Sequence, residues 1–151
     1  MNGREKKQEN DLFFVCSVIE YIGRKTKNKR GDIVNKLGVQ EISRLMNLAD
    51  VLHSEALEST ACDLITKYGI VNGDFDNLSV SRYSVPTHFD IAKVYKRLII
   101  DIATMQNVSL IDALIAVYGS WITDKIDNYN SSMYFENPQY IYASYSTGMP
   151  I

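Results

Sequence analysis

Apolar side chains recur three and four residues apart in five separate stretches of this chain, and that spacing admits one kind of secondary structure. Leu12, Val15, Cys16, Ile19 and Ile22 form the first stripe, and Ile33, Val34 and Leu37 the second. Val39, Ile42, Leu45, Met46, Ala49 and Leu52 form the third, and Leu57, Ala61, Leu64, Ile65 and Tyr68 the fourth. The fifth is Ile91, Val94, Tyr95, Leu98, Ile99 and Ile102, with Lys93, Lys96 and Arg97 on the opposite side. Each is the inward face of an amphipathic helix. Leu110 to Tyr118 is apolar almost all round, which places it in the centre of a core. Helix breakers are scarce: 8 Gly and 3 Pro in 151 residues, about 7% where average usage gives roughly 12%. The expected fold is all-α, a compact bundle of six or seven helices.

Caps and glycines set the expected boundaries. Residues 1–10 read as a flexible terminus, with Asn10 and Asp11 as candidate caps of a first helix and Gly23 as its stop. Gly31 to Gly38 is a short helix capped near Asp32, followed by a longer one over Val39 to His53. Ser54 is positioned to cap the next, with Glu55 and Glu58 in its first turn and Gly69 at its end. Residues 11–69 thus form an N-terminal helical unit. Residues 70–86 lose the period and form one long irregular connection, with a short extended piece near Leu78, Val80 and Tyr83. In residues 87–151, Thr87 and Ser109 are caps, and Asn137 before Pro138 opens a last helix over 138–145. The first four helices are expected to pack as one layer against the two long helices of the C-terminal unit, making one domain.

The net charge of −2 conceals a polarised chain. Residues 21–38 carry six positive charges and Asp32, and residues 39–81 carry seven negative charges against Arg44 and Lys67. Arg24, Lys25, Lys27, Lys29 and Arg30 are five cations in seven residues, expected in a loop. Such a loop contacts phosphates or is merely solvated, and an isoelectric point near 5.7 favours the solvated reading. The following segment has the outline of a helix-turn-helix with Gly38 at the turn. The inward branched residue expected about six positions after that glycine is replaced by Arg44, and Val34 stands where a small residue is usual, which favours a core-forming helix pair.

No constellation for catalysis emerges, and no catalytic residue, metal site or cofactor is expected. Cys16, His53, Cys62 and His88 are too far apart in sequence for a zinc site, and Cys16 lies on an apolar stripe. Asp74, Asp76 and Asn77 lack the glycine and distal glutamate of a calcium loop and read as a turn. Asp124 and Asp127 share one helix face and are expected to be solvated. His53 ends its helix, a capping position that needs no catalysis. Two cysteines and no secretory signal point to a reducing cytoplasm, and no apolar run suits a membrane span. The tail holds Tyr134, Tyr140, Tyr142 and Tyr145, which either offer an interface or wrap the chain's own helices.

Asp11, Leu12, Phe13, Phe14 and Val15, then Ile19 and Glu20, then Asp50, Val51, Leu52, His53 and Ser54 carry a resemblance. Over about residues 11–68 the chain resembles a family of small bacterial helical proteins of unknown function. Their pattern is a Phe and Val start, an Ile and Glu pair, and an Asp-Val-Leu-His-Ser or Thr ending before an acidic helix. The genes of that family often lie beside one for an ADP-ribosyltransferase-like toxin, so the resemblance implies an antitoxin-type protein partner. Residues 87–97 look like a tract in longer bacterial relatives. The expected function is a non-enzymatic protein-binding module in which Asp50, His53 and Ser54 hold a helix junction. A nucleic-acid-binding regulator using residues 24–30 is the alternative, and a small-ligand or enzymatic role around His53 and residues 74–77 is a third.

Overall fold

The computed structural model describes residues 3–150, and its centre is a single long helix, α1 (Gly3–Thr26). Around it stand α2 (Arg30–Leu52), α3 (Leu57–Lys67) and α4 (His88–Gln106), followed by α5 (Leu110–Tyr118), α6 (Ile122–Ile126), a 3-10 turn (Met133–Phe135) and α7 (Pro138–Thr147). The all-α expectation holds, with seven helices and no strand among the described residues. α1 packs against α2, α3 and α4, while α4 also meets α5 and α7, and α5 reaches α2. The two halves meet through α1 against α4 and α2 against α5, and both sides of α1 are apolar. Leu12, Val15, Cys16, Val18, Ile19 and Ile22 are all fully buried.

The caps expected in the second half are present. Thr87 and Asp90 form a reciprocal capping box at the start of α4, Ser109 accepts from the Asp112 amide, and Asn137 accepts from the Gln139 amide ahead of Pro138. Gly38, at φ +78° and ψ 167°, breaks α2 in a backbone region essentially reserved for glycine. The two halves of α2 both face the core, through Ile33, Val34 and Leu37 and then Ile42, Leu45 and Ala49, while Arg44 is exposed and paired with Glu41. This is the core-forming pair.

Several boundaries differ from expectation. Residues 3–10 continue α1 instead of forming a frayed end, and Lys7 ties them down by bonding Asp11 at 2.8 Å and Asp50 at 3.1 Å; Met1 and Asn2 lie outside the described residues. Ser54 does not cap α3, whose N-cap is Ala56; its hydroxyl donates instead to the Val51 carbonyl at the end of α2. Gly23 does not stop α1, which runs three residues further to Thr26, so the basic loop shrinks to residues 27–29.

Gly23 has another purpose. A Cβ there would lie 2.4 Å from Cδ and 2.7 Å from Nε of Arg30, whose side chain crosses α1 at that point. The glycine is the slot that admits it. Helix propensity alone predicts that Gly23→Ala stabilises the protein by about 1 kcal/mol. Overpacking against a buried side chain costs about 1–3 kcal/mol, so the expected result is a net loss of up to about 2 kcal/mol in denaturant unfolding. A Gly23→Ala protein at least as stable as the parent contradicts this packing.

Candidate functional site

Glu20 lies on the stripe marked by Cys16 and Ile19 and is only 1% exposed. A carboxylate so placed must find its hydrogen bonds inside the protein. Arg30, 0% exposed, approaches it with both ends of its fork: Nε donates to Oε1 at 3.1 Å and Nη2 to Oε2 at 2.9 Å. Arg24, one turn along α1, donates Nε to Oε2 at 2.8 Å, and the Tyr129 hydroxyl donates to the same oxygen at 2.9 Å. Burial alone would raise the Glu20 carboxyl, but the charges and hydrogen bonds of Arg30 and then Arg24 outweigh it and hold it below the usual range.

The cluster reaches a second buried carboxylate. Asn77 accepts from Arg30 Nη2 at 3.2 Å and donates to the Asp127 carbonyl at 2.9 Å, and the Tyr95 hydroxyl donates to Asp127 Oδ1 at 2.8 Å. Tyr95 stacks on Tyr118 with ring centroids 4.4 Å apart. The expectation that Asp124 and Asp127 are both solvated fails for Asp127, which is buried because the chain turns inward after α6; Asp124 is exposed. Burial first, and then the neighbouring Glu20 charge, push the Asp127 carboxyl up to about 7 against the opposing pull of Arg30. Beside it, a cleft of about 250 Å³ is bordered by Lys29, Phe75, Asn77, Val80, Asp124 and Tyr129.

Over this cluster runs the connection between α3 and α4, residues 68–87, as a strap. It turns at residues 77–80 and bends at 82–83 in place of the short extended piece expected near Leu78, Val80 and Tyr83, because Asp76 and Leu78 accept the amides of Ser79 and Ser81. It is tied at four places. The amides of Gly73 and Phe75 donate to the carbonyls of Thr26 and Lys27, and Asn77 makes the bonds just described. Asn130 accepts from the Arg82 amide at 2.8 Å and donates to the Val80 carbonyl at 3.0 Å, and Arg24 Nη2 donates to the Pro86 carbonyl at 2.7 Å. Fixed in this way, the strap turns apolar groups outward: Val80 and Tyr83 are each 66% exposed, and Val85 is 39% exposed. These residues were not singled out as a surface by the sequence, where they are a few apolar positions in an irregular segment.

The five cations read as phosphate contacts divide. Arg30 is withdrawn from any phosphate by its burial against Glu20, and Arg24 is mostly enclosed by Glu20, Tyr129 and the strap. Lys25, Lys27 and Lys29 are exposed, Lys27 lying 3.7 Å from Asp76 and Lys29 over the Phe75 ring. Of the tail, Tyr134, Tyr140, Tyr142 and Tyr145 are each half-buried and packed on the core, so the tail wraps its own helices. Asp50 is exposed and paired with Lys7, while His53 caps α2 with its ring 4.7 Å from Phe14. Among the described residues, no helix is long and apolar enough to cross a membrane. No protein-family model, curated protein or solved structure matches the chain.

The raised Asp127 group makes stability depend on pH. Its ordinary value is 3.8, so between that and about 7 the folded protein holds a proton the unfolded chain has released. Stability therefore falls as pH rises from about 4 to about 7, by up to about 1.4 kcal/mol per unit. Glu20 has the opposite sign, but its contribution is lost only below its ordinary 4.5; His88, lowered chiefly by burial, opposes the trend near its ordinary 6.5. Denaturant unfolding at about pH 5 and pH 7.5 is expected to show a loss of about 2 kcal/mol or more at the higher pH, and Asp127→Asn to remove most of it. A variant that keeps the full slope contradicts this assignment.

Proposed function

We propose that the chain is a non-enzymatic protein-binding module, an antitoxin-type component that engages the product of a neighbouring gene, and that the strap is its contact surface. The observation that supports this reading most is the outward row Val80, Tyr83 and Val85 on a segment fixed by buried polar partners. Apolar side chains on an already ordered segment bind a protein without the entropic cost of ordering it. An aromatic with its ring exposed is also a favoured anchor at protein interfaces. The antitoxin-type role itself comes from the resemblance in residues 11–68, and the chemistry of the surface agrees with a partner that is a protein. Nucleic-acid binding through residues 24–30 loses support because Arg24 and Arg30 spend their charge on Glu20.

The test is direct binding of the purified neighbouring-gene product, together with suppression of its toxicity. Serine at all three positions, Val80→Ser with Tyr83→Ser and Val85→Ser, is expected to weaken binding about 30-fold or more. Because these side chains face solvent, the melting temperature should move by no more than about 2 °C. A neighbour that is harmless and unbound, or binding unaltered by the three changes, overturns the reading. A salt-dependent gel shift abolished by converting Lys25, Lys27 and Lys29 to Gln would instead favour the nucleic-acid alternative.

A further inference from the structure

At its C-terminal end the strap leads into Phe89, 44% exposed on the first turn of α4, and Phe89 forms one wall of a small pocket of about 140 Å³. Four rings surround the space. Phe13 lies 5.9 Å from Phe89, and Phe14 lies 4.7 Å from His53, all between centroids. Leu57 and Ser17 complete the walls and Glu55 stands at the rim. The Ser17 hydroxyl is turned away to the Phe13 carbonyl at 2.8 Å, so the lining of this pocket is three phenyl rings, the His53 imidazole, Leu57 and one carboxylate.

Ring faces carry partial negative charge and attract cations, more so beside an acid. The stretch that supplies Glu55 carries the same sign. From residue 45 to residue 66 the chain contains Asp50, Glu55, Glu58 and Asp63 and no Lys or Arg. Lys6 and Lys7 border the adjoining surface, and Lys7 is already paired with Asp11 and Asp50. The protein itself uses the same chemistry elsewhere, with the Lys29 ammonium 6.0 Å from the centre of the Phe75 ring, and the Lys96 ammonium already lies 5.8 Å from the centre of the Phe13 ring. We infer that this aromatic, acid-rimmed pocket receives a basic side chain, Arg or Lys, presented by the protein partner that lies along the strap. The volume suits a single side chain, and the acidic stretch is complementary to a basic segment around it. The inference rests on the protein-binding reading above and supplies the chemical class of the residue that the partner inserts.

The probes are two capped peptides, acetyl-Gly-Arg-Gly-amide and its citrulline counterpart, which has nearly the same shape without the charge. Each is titrated into the full chain while the ring resonances of Phe13, Phe89 and His53 are followed by NMR. The Arg peptide is expected to give saturable shifts with a Kd on the order of millimolar, and the citrulline peptide to bind about fivefold more weakly. Phe89→Leu, at an exposed site, should weaken the Arg peptide by a similar factor while the protein stays folded, and Glu55→Gln should weaken it further. Equal binding of the two peptides, or shifts unaltered in Phe89→Leu, overturns the assignment. So does a concentration-dependent dimer that Phe89→Leu abolishes, which would place the basic turn of a second copy in the pocket. Failure of the two readings is distinguishable: an intact peptide titration without a protein partner removes the strap reading alone, and partner binding unaltered by Phe89→Leu removes the pocket alone.

Discussion

A carboxylate inside an apolar helix interface must be satisfied by the protein or it will not stay ionised. Glu20 meets that requirement with four hydrogen bonds from three residues, and each donor comes from a place the fold has to create. Arg24 comes from the next turn of α1, Arg30 from the first residue of α2, and Tyr129 from the segment after α6. The sharp reversal between α1 and α2 follows, because Arg30 can reach back only if the chain turns within residues 27–29 and only if position 23 offers no Cβ. Lys27 takes a left-handed conformation, φ 57°, to make that turn. Arg30 then extends the set to Asn77 and, through it, to the backbone of Asp127.

The same groups explain why a long irregular connection is ordered. Such a segment has no internal ladder of hydrogen bonds, so its polar backbone must be paired elsewhere. Here the turn after α1 takes the amides of Gly73 and Phe75, and Asn130 takes the Val80 carbonyl and the Arg82 amide. Gly73 lies so close to the turn that a Cβ would be 2.3 Å from Asn28 Oδ1. Held by these bonds, the strap buries Ile70 and packs Leu78 on the core but leaves Val80, Tyr83 and Val85 outside. Interior electrostatics and the outward row of Val80, Tyr83 and Val85 are therefore two faces of one arrangement, and the proposed binding role depends on both.

Local signals made most of the helices legible in the sequence. Thr87, Ser109 and Asn137 with Pro138 act within one turn of their own positions, and Gly38 breaks α2 where its glycine stands, so reading them needs no knowledge of distant contacts. Burial of the stripes was legible for the same reason. What escaped depended on residues far away along the chain. Arg30 looks like one more loop cation until Glu20 and Asn77 are placed beside it, and Asp127 looks like a surface acid until Tyr95, 32 positions earlier, is found bonded to it. Gly23 resembles a helix stop because its function is to make room for another residue's side chain. One sequence clue to the cluster was present: Glu20 follows Ile19 on the inward stripe, and a charge at such a position demands a partner. The aromatic pocket was equally hidden, since Phe13, His53 and Phe89 belong to three separate helices or their ends.

Glu20 and Arg30 act as one energetic unit, and a double-mutant cycle measures this directly. Unfolding free energies of the parent, Glu20→Gln, Arg30→Met and the double variant are compared by denaturant titration at neutral pH. Each single change is expected to cost about 3–5 kcal/mol, since it leaves a buried charge without its partner, and the double variant to cost less than the sum by about 2 kcal/mol or more. Effects that simply add, to within about 0.5 kcal/mol, would show that the two residues do not depend on one another and that the fold does not rest on their pairing.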